Sequence, residues 1–171
     1  MIVSMADCLG LWRRVLLVDA AGVADTSTDV TWLQGPTGYV DSRGFAGALS
    51  QSGDVFCWRR DVDIQPTGMP DAGRMRWENG TLVEIGVHET YEERWVREDG
   101  PVEPAGALFL SAGAHRTAVL VRVGELVAWA SDAGVRIGDT ADMCAWLSDD
   151  DHLVADGVRW TVTEREGAIR P

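Results

Sequence analysis

The sequence predicts an all-β protein, an antiparallel β-barrel of about 8–10 strands with one short C-terminal helix. Three observations lead there. Phe56, Trp58, Val62 and Ile64 alternate with Cys57, Arg59, Asp61, Asp63 and Gln65, the period-two pattern of a strand with one apolar side. Short β-branched and aromatic runs of this kind recur along the chain, separated by Gly, Pro, Asn and Asp clusters rather than by helical segments, which opposes a βαβ arrangement. Asn79-Gly80, set between Gly73–Glu78 and Thr81–Ile85, is the dipeptide that a type I′ hairpin turn favours.

From the N-terminus, Leu11–Asp19 is a first apolar run that reads as a strand, with a short helix as the alternative, and Asp19–Ser27 is small and polar, hence a loop. Val30–Gln34 is β-branched and aromatic, and Gly35-Pro36-Thr37-Gly38 turns it into Tyr39–Arg43. Phe45–Ser50 leads through Ser52-Gly53-Asp54 into the alternating strand, which Pro66 ends because it has no amide hydrogen to give a ladder. Thr67–Ala72 is a loop, the Asn79-Gly80 hairpin follows, and Val87–Arg97 is a further strand. Gly100–Pro104 is a linker-like break before three more strands, Ala107–Ser111, His115–Val123 and Leu126–Ala130. Thr140–Leu147 is the helix, with Thr140 as its cap and Asp142 in its first turn, and the acidic run Asp149–Asp151 comes after it. Val158–Glu164 is expected to pair with the first strand and remove the edges of the sheet.

A chain of 171 residues is the size of one domain, so a single barrel domain is expected over residues 1–171. A net charge of −12 opposes binding to nucleic acid or to an anionic membrane surface. All 15 basic residues are arginine, which excludes Schiff-base chemistry and a lysine-dependent phosphate loop. Cys8, Cys57 and Cys144 have neither metal nor redox spacing and fit free thiols in a reducing compartment. The opening Met-Ile-Val-Ser-Met-Ala-Asp lacks a basic segment, so a cytoplasmic protein is expected, with no metal and no cofactor. No Gly-x-Ser-x-Gly elbow is present to support serine-hydrolase chemistry.

Several phrases carry a resemblance: Trp32-Leu33-Gln34 with Pro36, Tyr39, Asp41 and Arg43; Phe45-Ala46-Gly47; Trp58, Arg60, Asp63 and Gln65-Pro66; Gly73-Arg74-Met75; and Glu84, Gly86-Val87-His88, Tyr91, Glu93 and Trp95. Over Trp32 to Trp95 the chain resembles a bacterial family of lipocalin-like, calycin-type barrels related to a yeast family of tandem barrels. The resemblance implies a barrel with an internal cavity and no established enzyme activity. It departs from true lipocalins, which carry Gly-x-Trp where this chain has Val30-Thr31-Trp32. The yeast relatives are longer, with two barrels, where one compact barrel is expected here.

The polar residues define the functional expectations. Arg60 stands in the middle of an apolar strand face, and Glu93 repeats the anomaly with opposite sign between Tyr91 and Trp95. A charge on such a face needs a counter-charge or a ligand. The two form either a pair that anchors a ligand's carboxylate or carbonyl, or a structural salt bridge closing one end of the barrel. Tyr39, Asp41 and Arg43 share a face and either line the mouth of a cavity or form a solvated ion pair. Trp58 and Trp95, with Trp32 and Trp77, are stacking walls or core. His88 and Tyr91, with Glu84 and Asp63 nearby, are suited to proton transfer or are structural. Asp149–His152 holds a hard cation weakly or is an exposed acidic run. The expected ligand-binding residues are therefore Gln34, Tyr39, Asp41, Arg43, Trp58, Arg60, His88, Tyr91, Glu93 and Trp95, in a barrel that takes a small apolar or amphipathic molecule and for which an oligomer is compatible with the sequence. The alternatives are an acid-base isomerase or hydrolase using His88, Tyr91 and a carboxylate, and an interaction protein with a filled barrel.

Overall fold

The computed structural model describes residues 2–27, 29–143 and 149–169, and folds them into two antiparallel sheets. A short helix, α1 (Met5–Cys8), precedes β1 (Gly10–Val18), the two-residue β2 (Ala24–Asp25), β3 (Thr31–Gln34), β4 (Gly38–Asp41), β5 (Phe45–Ser52), β6 (Val55–Asp63), β7 (Asp71–Glu78), β8 (Thr81–Gly86) and β9 (Glu92–Arg97). Strands β3 to β9 each pair with the next, β1 pairs with β3, and β9 returns to β1 with Arg14 opposite Trp95 and Leu17 opposite Glu93. This closes an up-and-down barrel, to which β2 is appended at the end of β1. The β7–β8 connection is the expected hairpin, with φ of 51° at Asn79 and 80° at Gly80.

Alternation sends Trp12, Trp32, Tyr39, Phe45, Trp58 and Trp95 into the barrel. The indoles form a column: Trp12 stacks on Trp32 at 5.8 Å, and Trp32 meets Trp58 and Trp95 edge-on at 6.0 and 5.7 Å. These separations are those of favourable ring pairs, so the barrel's axis is occupied by aromatic surface.

The second sheet comprises β10 (Ala105–Ala112), β11 (Arg116–Val123), β12 (Leu126–Ser131), β13 (Gly134–Asp139), β14 (His152–Ala155) and β15 (Val158–Gly167), with the short helix α2 (Thr140–Met143) after β13. Its strand order is β13-β12-β11-β10-β15-β14. Residues pointing out of the barrel, among them Leu33, Val40, Ala46 and Val62, pack on Ala107, Phe109, Val119 and Val121 of this sheet. Its other face has a core of its own, in which Trp129 meets Trp160 at 5.6 Å. Burial on both faces explains the near-continuous apolar runs of β10 to β12. The sheets are pinned where Glu166 accepts from the amides of Thr37 and Gly38 at 2.8 and 2.6 Å. A Cβ at Gly38 would sit 2.5 Å from that of Ala107, so this contact admits only glycine.

Several expectations change. Val158–Glu164 lies in β15 and pairs with β10 and β14 instead of β1, because β3 and β9 already occupy both edges of β1. Residues 87–91 form a turn ahead of β9, and β13 and β14 are strands the local pattern did not announce. The expected helix starts at Thr140, and its residues 144–147 lie outside the described residues. The linker-like Gly100–Pro104 falls between the two sheets.

The alternation of β6 also breaks. Ala46 pairs with Val62 but Gly47 pairs with Arg60, which leaves Asp61 as the extra residue of a β-bulge. Phe56 and Trp58 therefore point inward, whereas Val62 turns outward to the second sheet and Ile64 is exposed. Gly47 permits the bulge, since a Cβ there would lie 1.9 Å from the Arg59 carbonyl oxygen. Gly47→Ala should lower the unfolding free energy by at least about 2 kcal/mol in urea titrations. A change within about 0.5 kcal/mol would show that the bulge does not depend on this glycine.

Candidate functional site

The bulge places Arg60 and Asp63 on one side of β6, where Arg60 Nη1 donates to Asp63 Oδ2 at 3.1 Å. Asp71, at the start of β7 opposite Trp58, accepts from Arg60 Nη2 at 2.7 Å, and the guanidinium carbon lies 3.6 Å from the Phe45 ring centre. Arg60 and Glu93 are thus not partners, because β7 and β8 lie between their strands. Glu93 bonds instead to Arg14 and, at 3.1 Å, to Arg43, which grips Asp41 through two further bonds of 2.9 and 2.8 Å. Arg14 and Glu93 are 6% and 4% exposed, so this pair is fully desolvated at the β1–β9 seam.

These groups surround a cavity of about 100 Å³ at one end of the barrel, with Trp32, Trp58 and Trp95 as its indole walls. Of the residues expected to bind a ligand, Asp41, Arg43, Trp58, Arg60, Tyr91, Glu93 and Trp95 line it together. The other three lie elsewhere. Gln34 is enclosed in the β3–β4 turn, accepting from Trp32 Nε1 and donating to the carbonyls of Gly35 and Thr37 at 3.0 Å each. Tyr39 is enclosed in the core, with its hydroxyl 3.3 Å from the Arg59 carbonyl, and His88 is exposed in the turn before β9. Proton transfer by a His88–Tyr91 couple has no geometry here, since Tyr91 donates to Glu84 Oε1 at 2.7 Å.

Glu84, Asp71 and Glu89 complete the polar lining, and Arg14 stands behind it as the partner of Glu93; none of the four is among the expected ligand contacts. Their signal was in the pattern: Glu84 follows Leu82 by two residues and Arg14 follows Trp12 by two, the same interior parity that marked Arg60 and Glu93. Glycines clear the space: a Cβ at Gly73 would lie 2.6 Å from Glu84 Cγ, and one at Gly86 would lie 2.5 Å from the Tyr91 ring.

Glu84 sits directly across from Glu93 in the β8–β9 ladder. Burial first, and then the Glu93 charge, push its carboxyl up to about 8 against the pull of the Tyr91 hydrogen bond. Its carboxyl is therefore held largely protonated at neutral pH, with Oε1 receiving the Tyr91 hydroxyl. Burial likewise raises the Tyr91 phenol well above its usual range, reinforced by Glu84. The Trp95 Nε1 is enclosed and has no acceptor among the described residues, so that residue meets the cavity through its ring.

No protein-family model matches the chain, and no curated relative matches it in sequence. In fold it is similar to the crystal structure of the uncharacterized protein YLR301w from Saccharomyces cerevisiae, with a TM-score of 0.61 and 12% identity over 92% of this chain and 98% of that chain. Coverage of that extent includes both sheets, and the likeness is one of fold.

Two outcomes follow from the electrostatics. Arg14→Met leaves the buried Glu93 carboxylate with Arg43 as its remaining cation and should cost about 2–4 kcal/mol in chemical denaturation. Arg13→Met, which breaks the exposed pair with Glu98, should cost less than about 1 kcal/mol. Equal losses would contradict the seam's role. Glu84 holds a proton in the folded state that the unfolded chain releases near 4.5, so it makes stability fall as pH rises from about 4.5 to about 8. Glu84→Gln removes that slope, and its melting temperature relative to wild type should climb between pH 5 and 8. A constant difference would mean that Glu84 is ionised throughout.

Proposed function

We propose that the protein binds a small molecule in the cavity at the mouth of its barrel, as a lipocalin-like module of the cytoplasm. The observation that carries this reading is the cavity itself, which joins Arg60 to Trp32, Trp58 and Trp95 beside buried carboxyl groups. Up-and-down barrels of this strand number have interiors suited to one small ligand. The size of the cavity limits what enters. About 100 Å³ is the room of roughly three liquid waters and well below the 300–1,000 Å³ typical of drug-sized sites. The ligand is therefore a compound of a few heavy atoms, with an edge that hydrogen-bonds and a face that meets indole. Fatty acids and haem exceed this space, because the indole column occupies the barrel axis below it.

The thiols suit a reducing compartment. Cys57 is exposed and free, while Cys8 is buried, which pushes its thiol up to about 12 and keeps it unreactive. The acidic surface disfavours nucleic acid and anionic membranes as partners. In indole N–H spectra, a panel of polar compounds with six or fewer heavy atoms should contain members that shift the Trp58 and Trp95 signals, while long-chain fatty acids leave them in place. A response to fatty acids alone would overturn the assignment of the site.

A further inference from the structure

We propose that the cavity selects a small organic cation of the guanidinium or amine class, seated between the carboxyl groups of Glu84 and Glu93, and that the cation enters by displacing a proton from Glu84. This rests on the small-molecule reading above and names the class of ligand. Glu84 and Glu93 are cross-strand partners on the interior face, each only 4% exposed. Opposed side chains of this kind have Cβ atoms about 5 Å apart. Each uses one oxygen: Oε1 of Glu84 receives the Tyr91 hydroxyl, and Oε1 of Glu93 receives Arg14 and Arg43. The two Oε2 atoms accept no hydrogen bond among the described residues, and neither is sealed from the cavity that both side chains line. Two adjacent carboxyl groups, each with one oxygen open to the same cavity, are a place where one cation can bridge both.

The rest of the wall argues for the same class. Arg43 is held by Asp41 and Glu93, and Arg60 by Asp71 and Asp63, so each guanidinium already has two carboxylates and neither is left for an anion. No group of three or more His, Cys, Asp and Glu side chains among the described residues is arranged to hold a metal ion. Aromatic faces, in contrast, attract organic cations. The wall already does so with its own arginines, Arg43 lying 5.8 Å from the Trp95 ring centre and Arg60 3.6 Å from that of Phe45. The groups facing Glu84 are Glu93 and Tyr91 from β9 and its preceding turn, Asp71 from β7, Arg43 from the β4–β5 turn and Cys8 from α1, with Glu89 on the same cavity wall. In the exchange the Glu84 O–H bond breaks, the proton leaves to solvent, and the carboxylate so formed pairs with the incoming cation, so charge in the cavity is conserved.

Methylguanidinium, its neutral isostere methylurea, and acetate test this on the full chain, read by indole N–H shifts and by calorimetry in two buffers of different ionisation enthalpy. Methylguanidinium should bind, release close to one proton at pH 7, and gain about tenfold in affinity per pH unit from pH 6 to near 8, then level off. Glu84→Gln should abolish its binding while the melting profile stays cooperative. Cation binding without proton release would overturn the exchange, and selectivity in the wild-type protein tests the class even if the variant fails to fold. Should methylurea or acetate shift the Trp58 and Trp95 signals when methylguanidinium does not, the cavity stands as a ligand site and the cation assignment falls. Silence from all three, and from the wider panel, removes both.

Discussion

The buried ion pair between Arg14 and Glu93 spans the seam at which the barrel closes, and the geometry of the mouth follows from it. Two charges withdrawn from water are costly unless each meets its opposite, and the β1–β9 register brings these two together. The pair also fixes what Glu93 can do, since with Oε1 occupied by Arg14 and Arg43 the carboxylate is held facing Glu84. The ion pair so sets the charge that a neighbouring, desolvated carboxyl experiences, and that neighbour retains its proton.

A second constraint is backbone shape. The bulge at Asp61 gives β6 two faces that local periodicity does not distinguish. Before it, Phe56 and Trp58 join the aromatic interior; after it, Val62 supplies the outer contact with the second sheet, while Arg60 and Asp63 remain together at the mouth. Gly47, Gly73 and Gly86 are necessary on the same grounds, each occupying a point where a neighbouring carbonyl or side chain approaches closer than a Cβ allows. The cavity is thus bounded by charge pairs on one side and by rings on the other, and glycines make room for both.

The second sheet explains why the barrel has an apolar exterior. Leu33, Val40, Ala46 and Val62 would be exposed on an isolated barrel, and Ala107, Phe109, Val119 and Val121 cover them. With both of its own faces buried, that sheet acts as a brace for β3 to β6, the strands that carry Asp41, Trp58 and Arg60. Glu166 secures the same brace from the β3–β4 turn.

The sequence by itself determined the all-β class, the Asn79-Gly80 hairpin, and the inward placement of Trp58, Arg60, Glu93 and Trp95, because turn chemistry and period-two alternation are local properties that side chains carry wherever the strand goes. It likewise marked the break at Gly100–Pro104 that separates the sheets. Only the tertiary structure decided which charge meets which. Arg60 and Glu93 are legible as inward-facing ions, but their partners Asp71, Asp63, Arg14 and Arg43 depend on strand order, on the β1–β9 seam and on a bulge. The same holds for His88, which local pattern placed on a strand and the chain places in an exposed turn. Long-range pairing and register arise from closure of the whole sheet, and no short stretch of sequence contains that information.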